Sequence, residues 1–130
     1  MTTARLWLTL GAVCGFLTVS LGAFGAHGLK GRIAADLLAN WGTAANYLGM
    51  HAVAILACGL LLLLHPAAPL IRAAAWCFLI GVSLFSGSLF LMALTDARML
   101  GIVTPFGGVT LLAGWALLAV GAWRAAAPAN

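Results

Sequence analysis

Residues 44–64 read AANYLGMHAVAILACGLLLLL, twenty-one residues without one Asp, Glu, Lys or Arg, and the run stops at His65-Pro66. The hydrocarbon core of a bilayer takes about 20 apolar residues of helix. This stretch is therefore a membrane span by length and composition together, closed by Pro66 and Pro69, which cannot continue a helix. Working outward, three more runs of the same kind appear. Residues 6–26 follow a polar tip carrying Arg5. Residues 73–94 are bounded by Arg72 on one side and by Asp96 and Arg98 on the other. Residues 104–123 end at Trp123-Arg124, an aromatic and a basic residue suited to the membrane interface. The first run is longer than the usual signal core of about 7–15 residues, so it reads as a retained helix. Four spans and their connections use the whole chain, so a single integral membrane domain over residues 1–130 is expected.

Composition agrees. The chain is 65% hydrophobic and 6% charged, with mean hydropathy +1.16, whereas a soluble domain carries charge on about a quarter of its residues. A water-soluble fold is excluded. The net charge of +4 comes from single basic residues scattered between apolar runs, the pattern of helix-end anchors rather than of a nucleic-acid surface. Cys14, Cys58 and Cys77 are odd in number, share no C-x-x-C spacing and fall inside apolar runs, so they read as small core residues.

The fold class that follows is an all-α, four-transmembrane-helix bundle with a short amphipathic interfacial segment between helices 1 and 2. In residues 27–43, Ile33, Leu37, Leu38 and Trp41 recur at helical spacing while Arg32, Asp36 and Asn40 fall on the other side. That is the pattern of a helix lying on the membrane surface, or of a helical extension of the second span. Basic residues set no orientation. Arg5, Arg72 and Arg124 share one side and Lys30, Arg32 and Arg98 the other, a tie under the positive-inside rule.

Helices in lipid associate by close backbone approach, so small residues should mark their seams. Gly11, Gly15, Thr18, Gly22 and Gly25 keep to one face of the first helix. Ala45, Gly49, Ala52 and Gly59 do the same on the second, and Gly107, Gly114 and Gly121 are heptad-spaced on the fourth. Helix-packing roles are expected for Gly11, Gly15, Gly22, Gly49 and Gly114. On the first two helices this stripe points roughly opposite to the histidine face, at 100° per residue, so each should present two contact surfaces.

Chemistry could sit at a few polar positions. His51 lies inside the second span, where an ionisable group is by default a functional candidate; the competing structural role is a neutral imidazole tying two helices together. Residues at a similar depth, Ser20, Ser88 and Thr110, predict a polar layer in which His51 bonds a hydroxyl or a neighbouring backbone carbonyl. His27 closes the first span and shares a side with Asn46, Asp96 and Thr104. The candidate polar cluster is thus His27, Asn46, Tyr47, His51, Ser88, Asp96 and Thr104. Two histidines could ligate a haem or metal, or hydrogen-bond a quinone or headgroup, but no third or fourth metal ligand is placed. No metal and no cofactor are expected. Thr104-Pro105 reads as a helix start, with Thr as N-cap and Pro at the first helical position. No P-loop, catalytic triad, nucleophile elbow or paired carboxylate is present, and the residues point away from an enzyme.

Four stretches also carry a resemblance: Gly22-Ala-Phe-Gly-Ala-His-Gly-Leu-Lys30, His51-Ala52, Phe85-Ser-Gly-Ser-Leu-Phe90, and Leu100-Gly-Ile-Val-Thr-Pro-Phe-Gly-Gly108 followed by Gly114-Trp115. Together they resemble the YgdD/YwdK-like small bacterial membrane proteins, domain-of-unknown-function family 423, which has an animal transmembrane branch. The resemblance implies a four-helix, multi-pass protein of the inner (cytoplasmic) membrane and no established activity. Where the family tends to read Tyr-Gln-x-x-His, this chain has Leu48 in place of the Gln.

The function expected from these features is that of a non-enzymatic accessory or oligomeric membrane component. The alternative is a binding or transport protein for a lipid, quinone or other small amphiphile on the His27/His51 side. Expected partners are membrane lipid and either a second copy or another membrane protein, with no nucleic acid among them.

Overall fold

The computed structural model of the chain describes residues 2–127. Among the described residues the fold is all helix: α1 (Thr3–Ala23), a π-helical turn (Phe24–Leu29), α2 (Ala35–Leu64), α3 (Pro69–Thr95), a short 3₁₀ turn (Arg98–Ile102) and α4 (Thr104–Ala125). All four long helices have the length and hydropathy of membrane spans. Their large apolar side chains face outward as often as inward: Phe16, Val19, Leu64, Phe106, Leu112 and Trp123 are each more than two-thirds exposed. A surface of that kind is solvated by lipid, not by water.

The segment before the second span resolves in favour of the helical extension. There is no separate surface helix: residues 35–43 are the first turns of α2, whose 30 residues make about 45 Å of helix at 1.5 Å each. That exceeds a hydrocarbon core of about 30 Å, so the amphipathic turns reach into the interface while remaining part of the span. The break that precedes them is made by Gly31, whose φ of +76° lies in the left-handed region that glycine adopts without penalty. At the other end His65-Pro66 stops α2, and Pro69 opens α3 at a position where its missing N–H costs nothing. Asp96 ends α3 in the left-handed conformation, with φ 54°, which Asp tolerates better than most residues.

The helices pack in chain order, α1 on α2, α2 on α3 and α3 on α4, with no comparable contact between α1 and α4. The bundle is therefore open. Buried residues number twelve on α2 and eleven on α3, against four each on α1 and α4, so α2 and α3 form the centre and the other two are flanks. Two aromatic contacts reach beyond chain neighbours: Trp7 of α1 meets Trp76 of α3 edge-on at 5.0 Å, and Trp115 of α4 meets His51 of α2 at 6.0 Å.

Glycine seams hold the rows together. A Cβ at Gly11 would stand 2.9 Å from the Leu56 nitrogen, and one at Gly59 would stand 3.0 Å from the Leu8 nitrogen, so α1 and α2 approach reciprocally. A Cβ at Gly107 would stand 2.5 Å from the Phe85 nitrogen and 2.8 Å from the Gly81 carbonyl oxygen, and one at Gly81 would stand 3.0 Å from the Leu111 nitrogen. Backbones this close leave no room for a side chain. Gly49 packs on Thr18, and Gly114 on Phe78 and Cys77. Gly15 and Gly22, counted with these from the sequence, are different: nothing lies within 4 Å of where their Cβ atoms would stand. Inside the chain they pack against nothing. The three cysteines are free thiols, two buried and one half-buried.

Candidate functional site

His51 lies on the buried face of α2 in the series Ala44, Leu48, His51, Ile55, Cys58 and Leu62, a spacing of three and four that keeps one side of a helix inward. It is 1% exposed. Nδ1 lies 2.7 Å from the Tyr47 carbonyl oxygen one turn back, and Nε2 lies 3.2 Å from the indole Nε1 of Trp115 on α4. A carbonyl only accepts and an indole N–H only donates. The proton therefore sits on Nδ1 and the lone pair on Nε2, which is a neutral imidazole with both nitrogens used. Of the bonds expected for His51, the one to a neighbouring carbonyl forms and the one to a hydroxyl does not.

Aromatic rings surround it. Tyr47 stacks on Phe85 at 4.3 Å and on His51 at 5.9 Å, and Phe78 closes the far side against Trp115 at 5.0 Å. Between them opens a cleft of about 320 Å³ walled by Tyr47, Met50, His51, Phe85, Leu112 and Trp115. A donor mid-membrane has no water to bond, and the Trp115–His51 bond satisfies one donor and one acceptor across two helices that are not chain neighbours.

The expected polar layer does not assemble. Ser20 and Thr110 bond the carbonyls of Phe16 and Phe106 on their own helices, at 2.9 and 2.8 Å. Hydroxyls so placed are satisfied locally and have no need of His51. Ser88 instead meets the Thr104 hydroxyl at 2.7 Å, fastening α3 to the start of α4. Thr104 is accordingly not the N-cap: it is the first helical residue, Val103 holds the cap position, and no side chain caps the end.

The rest of the candidate cluster is dispersed. His27 is exposed on the π-helical turn. Asn46 lines a different groove, with Gly22, Trp41 and Gly42 between α1 and α2. Asp96 belongs to an exposed charge cluster in which Arg98 lies 3.1 Å from Asp96 and 2.6 Å from Asp36. The structure brings together Tyr47 and His51, and separately Ser88 and Thr104. It does not gather all seven. Among the described residues no three of His, Cys, Asp or Glu converge as metal ligands.

Three structural ties were missed from the sequence. Trp115 stood in the sequence motif without a role, although a buried indole N–H usually finds a hydrogen-bond partner, and that tendency was the available signal. Ser86 is 2% exposed and donates to the Ala44 carbonyl at 2.8 Å, binding α3 to α2. Trp41 donates to the Leu21 carbonyl at 2.7 Å, and Gly25 makes room for its ring where α1 widens into the π-helical turn. Inserted donors are a common cause of such local widening.

Residues 21–108 match the family model described as "Protein of unknown function (DUF423)". The chain belongs to this family. It is 42% identical to the UPF0382 inner membrane protein YgdD of Escherichia coli over 94% of this chain and 92% of that protein. It is 36% identical to the UPF0382 membrane protein YwdK of Bacillus subtilis, covering 91% and 96% of the two chains. A UPF0382 membrane protein of Staphylococcus haemolyticus is 37% identical, covering 92% and 97%. No solved structure matches. The chain is thus a multi-pass membrane protein of a family of unknown function, and the inner-membrane location agrees with the name of the E. coli relative. Within the matched region lie Tyr47, His51, Ser86, Ser88 and Thr104; Trp115 lies beyond it.

Proposed function

We propose that the chain is a non-enzymatic membrane component that acts through helix–helix contacts, as a small accessory subunit or as a homo-oligomer. The observation that carries this reading is the division of the glycines along α1 and the π-helical turn that follows it. Gly11 and Gly25 meet α2, whereas Gly15 and Gly22 leave room for a Cβ and meet nothing. Glycine costs about 1 kcal/mol relative to alanine inside a helix, and close approach of a neighbouring helix is what compensates that cost in membranes. Cross-linking in native membranes at native expression tests the reading. A protein neighbour or a self-adduct is expected, and a chain that stays monomeric would contradict it.

A second reading, binding or transport of a small amphiphile, has one observation in its favour: the aromatic cleft of about 320 Å³ beside Tyr47 and His51. It requires His51 to give up its bond from Trp115, because both ring nitrogens are occupied. Native mass spectrometry after mild extraction separates the two readings. Only the second requires a stoichiometric non-protein mass that His51→Ala abolishes.

A further inference from the structure

A cavity of about 370 Å³ lies where the α2–α3 turn meets the last turn of α4. Pro66, Pro69, Leu70 and Ala125 give it apolar walls, and His65 and Arg124 supply its polar side chains. Because α2 ends and α3 begins there, the cavity stands at headgroup depth rather than in the hydrocarbon core. Arg124 makes no ion pair among the described residues.

The charge around this cavity is one-sided. Arg5, Arg72 and Arg124 share this end of the molecule, and the sequence contains only two acids, Asp36 and Asp96. Both acids are at the opposite end, and both are bound to Arg98. Among the described residues a ligand at the Arg124 cavity therefore meets cations with no side-chain carboxylate to receive an ammonium group. That favours a headgroup with net negative charge over a zwitterionic one. The planar guanidinium fork matches a phosphate better than any other basic side chain. The apolar walls favour an amphiphile over a free ion. α3 also starts on this cavity without a side-chain cap on its first amides, which adds partial positive charge from the helix end.

We propose that this cavity is a binding site for an anionic phospholipid, with the phosphate on Arg124, His65 as a further hydrogen-bonding group, and the start of the acyl chains along Pro66, Pro69 and Leu70. Nothing in the proposal depends on the small-residue face of α1, so it stands or falls separately from the helix-contact reading.

The test is native mass spectrometry of the whole chain, stripped of lipid in an uncharged detergent and then titrated with phosphatidylglycerol or phosphatidylcholine of identical acyl chains. Phosphatidylglycerol should be retained about tenfold better, and Arg124→Gln should remove that preference. Ala67→Trp, which fills the cavity without changing charge, should lower phosphatidylglycerol binding equally. Arg5→Gln makes the same charge change at the same end but away from the cavity lining, and should alter binding by less than about twofold. Thermal midpoints in the same detergent show whether each variant is folded, and Arg124→Lys, keeping the charge without the fork, should bind at an intermediate level. Equal losses for Arg5→Gln and Arg124→Gln would reduce the effect to diffuse surface attraction and overturn the site. Full binding by Ala67→Trp would overturn it as well. Displacement of the lipid by equimolar inorganic phosphate would mark the cavity as a site for a soluble anion and contradict the lipid assignment.

Discussion

The seam between α3 and α4 and the small-residue face of α1 are both built on glycine, and they fill it differently. At the α3–α4 seam the glycines are filled positions: Gly107 lies against the backbone of Phe85 and Gly81, Gly81 against Leu111, and Gly121 against Ile71. On the small-residue face of α1, Gly15 and Gly22 are half-buried beside α2, Gly22 lining the groove between the two helices, yet nothing stands within 4 Å of where their Cβ atoms would be. Spacing along the helix is the same kind of signal in both places. What separates them is the neighbour, and a substitution reads the neighbour directly.

The largest effect is expected at the seam. Gly107→Leu would force a side chain onto backbone atoms 2.5 and 2.8 Å away, which no rotamer change can relieve. Overpacking a tight core costs about 1–3 kcal/mol and more where backbone must move. This variant should therefore show the steepest fall in thermal midpoint in detergent, or fail to accumulate folded. A midpoint near that of the parent chain would show that the two helices can separate without loss, breaking the contrast from the seam side.

His51→Ala comes next. It removes a fully buried ring and leaves the Trp115 N–H without its acceptor. The cavity and the orphaned donor together should cost about 2–4 kcal/mol, measured as a lowered unfolding midpoint with no co-purifying mass lost. A stable variant that loses a bound mass would instead support the amphiphile reading. A smaller effect belongs to Ser86→Ala. Its hydroxyl donates to the Ala44 carbonyl, and such bonds between membrane helices are worth about 1 kcal/mol or less. A drop as large as that of His51→Ala would mean that the α2–α3 contact, not the His51 tie, dominates the polar core.

Much of the fold was legible because it depends on length and hydropathy. The spans 44–64, 73–94 and 104–123 all lie within observed helices, since runs of that apolarity have one stable form in lipid. The first span, 6–26, crosses from α1 into the π-helical turn, a change of hydrogen-bond register that periodicity does not report. The candidate site was less legible. Residue depth along a helix placed Ser20, Ser88 and Thr110 level with His51, but depth carries no azimuth, and in an open row of helices those hydroxyls turn back to their own carbonyls or to another seam. Trp115 reaches His51 from α4, which is not adjacent to α2 in chain order. That contact follows from how the helices are arranged, which the one-dimensional pattern leaves open. The packing glycines divided for the same reason. Gly11 and Gly15 are one turn apart, yet only the arrangement of α1 on α2 decides which of them is covered.

The central claim is that the unfilled space beside Gly15 and Gly22 on the small-residue face of α1 receives another protein chain, and the most direct measurement compares Gly15→Leu with Leu17→Ala by cross-linking in native membranes. A Cβ at Gly15 would meet nothing within 4 Å, so the chain itself should fold with a thermal midpoint close to that of the parent, while the close approach of a partner is blocked. The account predicts loss of the cross-linked species in Gly15→Leu, with Leu17→Ala retaining it. Undiminished cross-linking in Gly15→Leu, or equally mild effects in both variants, would contradict it.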